Sequence, residues 1–389
     1  MKILISAGEA SGDRYSAQLV EQLRERLPQT EFFGCAGRRL REAGVRPVIR
    51  AEELAVVGIF EVARDIPRIY RQFRRLAAAA VAEKPALAVL TDSPDFNLRL
   101  AKKLHRAGIP VIYYVAPQVW AWRRKRVRLL RDFVDHLLCI FPFEEEFFRR
   151  HGVEATFVGH PLYGSLQPTL SRQEFCSRHG LVPEKPLIAL LPGSRRGEAS
   201  RHLGPVLDAV ARLTQQRSMN FVLPASTTTG RAFFVQRISN PAVQVIEGET
   251  ENALANADLA MVASGSATVE AALLGAPMVV FYRVTAPSWM VGKMMVDVPF
   301  YSMVNLLAQR KIVPELIQND CTGERLASEA GRLLESEQAR QRMKQDLEAV
   351  KRCLEGEIPA AQRAAEVICS RLNLTGTPVR REEESLPVG

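Results

Sequence analysis

Short apolar runs recur along the chain at Lys2–Ser6, Glu31–Gly34, Ala86–Thr91, Val111–Val115, His136–Ile140 and Ala155–Val158. Between them, helical patterns run at about Tyr15–Leu27, Pro67–Glu83, Asn97–Arg106, Arg123–Phe133 and Glu144–His151. Strands alternating with helices predict a parallel sheet with crossover connections. The rhythm pauses at Gly159-His160-Pro161-Leu162 and through a polar stretch to Pro168, then resumes with a helix at Ser171–His179. A second set of strands follows at Leu187–Leu191, Asn220–Pro224, Ala242–Ile246, Leu259–Ala263 and Pro277–Tyr282, separated by helices that include His202–Gln216 and Asn252–Asn256. The pattern therefore predicts an α/β chain with two doubly wound halves. The domains fall at 1–165 and 166–355, followed by a helix over 356–374 with Pro359 at its start and a disordered tail over 375–389.

Composition narrows the class. With 389 residues, 47% hydrophobic and 24% charged, the chain is long enough for two full cores. Its six cysteines are scattered, with no C-x-x-C pair, so neither a disulfide framework nor a zinc site is predicted. The apolar run after Met1-Lys2 is short of a signal-peptide core, and nothing approaches the roughly 18 to 20 apolar residues of a membrane span. These features predict a cytoplasmic protein. A net charge of +9 favours a phosphorylated or anionic partner. The basic residues cluster at Arg64, Arg68, Arg71, Arg74 and Arg75 and again over 123–131.

Ligands of open parallel sheets bind beyond the carboxyl ends of the strands, which selects the loops to inspect. In the second half, Ser264-Gly265-Ser266-Ala267 lies between a strand and an Ala/Leu-rich helix starting near Thr268. Small residues there let a ligand approach the backbone, and the helix start offers unpaired N–H groups to a diphosphate. Glu270 either complements the helix dipole or accepts from ribose hydroxyls. The loop Pro192-Gly193-Ser194-Arg195-Arg196 adds guanidinium groups to a Gly-Ser turn, a combination suited to diphosphate.

In the first half, Gly8-Glu9-Ala10-Ser11-Gly12-Asp13 follows the opening strand but lacks the spacing of a dinucleotide fingerprint or a P-loop. Asp92, just beyond Thr91, sits where a general base would, whereas Asp95 is equally well explained as a helix cap. Trp120 and Trp122 beside Arg123 fit a substrate wall or interface. His160 reads as a turn histidine packed at the domain junction. No D-x-D and no metal-ligand spacing occurs, so no metal and no cofactor are predicted.

One stretch pairs apolar and basic residues. Ile59, Val62, Ile66, Ile69 and Phe73 repeat at helical spacing as a buried stripe, with arginines on another face. The preceding Leu54–Phe60 segment, with Val56, Val57, Ile59 and Phe60, is more apolar than a loop requires, and with Arg64 it describes an interfacial membrane patch.

Taken together, Ala7–Asp13, Asp92–Asn97, Pro117–Arg123, Val158–Pro161, Leu191–Arg195 and Ser264–Glu270 resemble the lipid-A-disaccharide synthase family, in order and spacing, over about residues 1–370. The resemblance implies a GT-B glycosyltransferase, two Rossmann-like domains facing a cleft, with the C-terminal helix packing back on the first. It further implies transfer from UDP-2,3-diacylglucosamine to 2,3-diacylglucosamine 1-phosphate with inversion, at the inner face of the cytoplasmic membrane; a homodimer is compatible with it. By the same resemblance Asp92 is the base, and Glu9, Ser11, Arg195, Glu270 and Asn305 are tied to activity or to UDP. Val304 stands where that family usually has proline. A UDP-sugar epimerase of the same fold is the nearest rival. A nucleic-acid binder is disfavoured by Asp92, Asp95 and Glu144–Glu146 beside the basic runs.

Overall fold

The computed structural model describes residues 1–54, 61–121, 126–295 and 298–375. Its frame is two all-parallel sheets. The first joins β1 (Lys2–Ala7), β2 (Glu31–Ala36), β3 (Arg46–Arg50), β4 (Leu87–Thr91), β5 (Val111–Tyr114), β6 (His136–Cys139) and β7 (Ala155–Phe157) in the order β3-β2-β1-β4-β5-β6-β7. The second joins β8 (Leu187–Leu191), β9 (Asn220–Ala225), β10 (Val243–Glu247), β11 (Leu259–Ala263), β12 (Met278–Tyr282) and β13 (Glu315–Ile317) in the order β10-β9-β8-β11-β12-β13. Each is built from strands such as β4, β8 and β11 that are buried along their whole length, as crossover helices require. In each sheet the order reverses beside the first strand, between β1 and β4 and between β8 and β11, and a crevice opens beyond those strand ends.

The helices of the first half are α1 (Ala10–Arg26), α2 (Arg38–Glu42), α3 (Glu61–Glu83), α4 (Pro94–Arg106), α5 (Val127–Phe133) and α6 (Pro142–Arg150). Those of the second are α7 (Arg172–His179), α8 (Arg196–Gln216), α9 (Arg231–Val235), α10 (Thr250–Ala255), α11 (Ser266–Leu273), α12 (Ala286–Met295), α13 (Met303–Ala308), α14 (Gly323–Glu335), α15 (Glu337–Cys353) and α16 (Ala360–Thr375). The chain then crosses back. Helix α16 packs against α1, with Ala364, Ala365 and Ile368 fully buried. Arg371 ties it to the first sheet by donating to His136 Nδ1 at 2.9 Å and pairing with Glu154, and Arg26 of α1 faces Glu366 at 3.7 Å.

Three sequence expectations change. Helices α1, α8 and α11 begin at Ala10, Arg196 and Ser266, earlier than the pattern placed them, because their first turns are built of small and polar residues that look like loop. The edge strands β3 and β13 add to the sheets although neither reads as apolar. On α3, Ile66 is not in a buried stripe. It is 56% exposed and Tyr70 59%, while Arg68 turns inward and donates to the Glu53 carbonyl at 2.7 Å. The helix meets the core through Leu76, Ala77 and Ala80.

Candidate active site at the cleft between the two sheets

Strand β4 ends in Thr91 and the chain turns abruptly. Asp92 and Ser93 are consecutive non-glycine residues in the left-handed region, at φ 50° and 43°, and Val115 at the tip of neighbouring β5 has φ 65°. Such residues are costly, doubly so for a β-branched valine and for Ser93 ahead of Pro94. Strain of this kind persists where surrounding structure over-determines it. Here buried polar groups do so. Asn97, fully buried on α4, donates through Nδ2 to the Thr91 carbonyl at 2.9 Å and the Asp92 carbonyl at 3.0 Å, and its Oδ1 accepts from Ser6 Oγ at 2.8 Å. Tyr113 Oη of β5 donates to the Asp92 carbonyl at 2.5 Å.

The Asp92 carboxylate that results lies over the β1–α1 turn. The Gly8 amide donates to its Oδ1 at 3.1 Å, while Oδ2 is buried without a hydrogen-bond partner. Burial first, and the charge of Glu9 second, hold the carboxyl well above the usual range. It is therefore a carboxylate poised to take a proton. Glu9, the residue before α1, reaches the other way and accepts from Arg195 Nη2 at 2.6 Å. That pair spans the cleft. A second one runs from Arg14 of α1 to Glu251 of α10 at 3.0 Å.

On the far side, Gly265 (φ 155°) breaks β11 and the chain enters α11 at Ser266, leaving the first-turn amides of the helix directed outward at its start. Thr268 is buried and its hydroxyl is spent on the Gly265 carbonyl at 2.7 Å, so it shapes the turn. Ser264 Oγ donates to the Tyr301 carbonyl at 2.6 Å, and Ser266 and Gly265 stay exposed. Glu270, one turn further along α11, has its carboxyl raised to about 6, chiefly by burial and against the pull of Arg14. Beside this turn, Gly193 (φ 122°) and Ser194 lead into Arg195, the residue before α8; the Ser194 carbonyl accepts from Thr229 Oγ1 at 2.7 Å. His202 ties that loop to the next, its Nδ1 against the Pro192 carbonyl at 2.8 Å and its Nε2 accepting from the Arg283 amide at 2.9 Å.

Several candidates belong elsewhere. Asn305 is fully buried, and its side chain is saturated: Oδ1 accepts from the Ile312 and Val313 amides, and Nδ2 donates to the Val313 carbonyl and Glu315 Oε1. It cannot also serve as a catalytic group. It braces Glu315, which accepts from the Tyr301 and Ser302 amides and so backs the Ser264 contact. Val304 occupies the second position of α13, where no intrahelical amide bond is made, so a proline there would forfeit no helix hydrogen bond. Trp120 is not a surface residue: it is 8% exposed, stacks edge-on with Phe143 and donates its Nε1 to Glu144 at 3.0 Å, a carboxyl that burial raises to about 8. Asp95 lies inside the first turn of α4 paired with Arg126. Asp13 caps α2 through the Arg39 and Leu40 amides. His160 is buried against Tyr15 and Phe141, as the turn reading has it. Ser11 is half-buried in the first turn of α1. Val56, Val57, Ile59, Phe60, Trp122, Arg123 and residues 376–389 lie outside the described residues, and Arg64 is on α3.

Comparison with known proteins places the whole chain. A family model described as lipid-A-disaccharide synthetase matches residues 3–368. The lipid-A-disaccharide synthase of Solibacter usitatus is 59% identical over 94% of this chain and 96% of its own length, and that of Myxococcus xanthus 45% identical over 95% and 97%. In fold, the chain is similar to a UDP-GlcNAc 2-epimerase from Neisseria meningitidis bound to UDP-GlcNAc (TM-score 0.66, 13% identity, 96% of this chain and 100% of that one). It is also similar to the calicheamicin glycosyltransferase CalG4 (TM-score 0.59, 16% identity, 96% and 98%). The two-sheet frame is that of GT-B glycosyltransferases and epimerases.

Proposed function

Since this chain belongs to the lipid-A-disaccharide synthetase family, we propose that its cleft joins UDP-2,3-diacylglucosamine to the 6-hydroxyl of 2,3-diacylglucosamine 1-phosphate. Asp92 takes the hydroxyl proton as O6 attacks the anomeric carbon, the bond from that carbon to the diphosphate oxygen breaks, and UDP departs from the opposite face. The product is a β-1,6 disaccharide 1-phosphate. Charge on the leaving diphosphate is offset by Arg195 and the amides at the start of α11, in place of a metal ion. Glu9 and Ser11 line the acceptor side, and Glu270 suits the nucleotide sugar. The supporting observation is the bonded path Asp92–Gly8 followed by Glu9–Arg195, which brings the base-bearing turn of one sheet against the diphosphate loop of the other.

The test uses purified protein, both diacyl sugars and excess EDTA. Wild-type protein should release UDP, and Asp92→Asn should lose about 100-fold or more in kcat while still binding UDP. UDP release by the variant at the wild-type rate would remove Asp92 from the reaction.

Substrates with acyl chains favour an enzyme that works at a bilayer. No helix among the described residues is long and apolar enough to cross one. Exposed Ile66 and Tyr70, interleaved with exposed Arg71, Arg74 and Arg75, instead form a basic and apolar face that fits the inner surface of the cytoplasmic membrane. Co-sedimentation with anionic liposomes should occur at low salt and weaken as salt rises; no binding at either salt would refute it.

A further inference from the structure

The side chains that fix Asp92 do not touch the cleft. The carbonyl of Asp92 receives two donors, Tyr113 Oη at 2.5 Å and Asn97 Nδ2 at 3.0 Å, which fills both of its lone pairs. That carbonyl belongs to the peptide joining two left-handed residues, and the natural relaxation of such a pair is to swing this peptide over. Relaxing Asp92 itself also requires rotation about its N–Cα bond, and that rotation carries its Cβ, and with it the carboxylate, away from the Gly8 amide and from the cleft. The amide of Asn97 is itself oriented, because Ser6 Oγ donates to its oxygen and so leaves the nitrogen facing the Thr91 and Asp92 carbonyls. Both residues are fully buried, and neither contacts a group that is to react.

We propose that Tyr113 and Asn97 are positioning residues for the transfer reaction, clamping the Asp92–Ser93 peptide so that the carboxylate faces the acceptor. The clamp rests on the assignment of Asp92 as base. It sits on two elements, β5 and α4, so the base is held by the fold on both flanks. Its tyrosine comes from the neighbouring strand, where it stands beside Leu90 in register.

The experiment compares Tyr113→Phe, Asn97→Ala and Asp92→Asn by steady-state kinetics, UDP affinity and thermal melting. Tyr113→Phe keeps the buried ring and removes only the hydroxyl. It should lower kcat about 10- to 100-fold while KM for both sugars and the Kd of UDP stay within about twofold, since misaiming the base affects turnover and not binding. Asn97→Ala should lower kcat further, and if it does not fold, Tyr113→Phe decides alone. Unchanged kcat in folded Tyr113→Phe, or a parallel fall in kcat and UDP affinity, overturns the clamp. If Asp92→Asn is inactive in that case, the assignment of the base survives; if Asp92→Asn is active, that assignment falls first.

Discussion

At Gly12 a single hydrogen stands where any other residue would place a carbon 1.7 Å from Asp92 Oδ2. The obstruction is the movable end of a side chain and not backbone, so alanine there displaces the carboxylate and leaves the helix intact. Gly12→Ala is therefore expected to fold with a melting temperature near wild type and to lose about 100-fold in kcat, read by UDP release. At this scale the sequence exposes some roles and hides others. Asp92 stands out because a carboxylate at a strand tip has few structural uses, and the structure sets it over the β1–α1 turn. Trp120 and Asn305 mislead for the opposite reason: their types suit a site, but burial with saturated hydrogen bonds gives them structural work, and only tertiary partners such as Glu144 and Glu315 reveal it. Tyr113 carries no signal, since an aromatic in a strand looks like an ordinary residue, and Asn97, though it closes the Asp92–Asn97 motif, reveals its bracing work only through its tertiary partners.

Among elements, the central strands were legible because helices cover both their faces and force continuous apolar runs. Edge strand β3, with Arg46, Pro47 and Arg50, needs only one covered side, so its pattern dissolves. The early starts of α1, α8 and α11 share one cause: their first turns are made of small and polar residues, which imitate a loop. Helix α16 shows how much a late element can matter. Ile368 is fully buried where α16 lies on the first half of the molecule, so Ile368→Asp places an unpaired charge in that seam. A loss of about 3 kcal/mol is expected in chemical denaturation, as an earlier transition.

Across the whole molecule, Glu9–Arg195 and Arg14–Glu251 are both ion pairs between the two halves. Glu9–Arg195 is exposed and Arg14–Glu251 half-buried, and solvent-screened pairs contribute little to stability, so their interest lies in coupling. Burial and Glu9 both raise the carboxyl of Asp92, and a base acts only when deprotonated. Activity should accordingly fall as pH drops through that raised value, which lies above the ordinary carboxylate range. Glu9→Gln removes one of the two causes, and the acidic limb of the kcat/KM profile should move to lower pH. A limb that stays in place would mean that Glu9 does not sense the base.

The return of α16 to α1 also sets an order of events during synthesis. Translation is vectorial, and α1 leaves the ribosome before the second sheet is made, whereas its packing partner follows only after that entire sheet. The first half must wait, one helix short, until the second sheet and the helices after it have emerged, and its closure then joins the two halves.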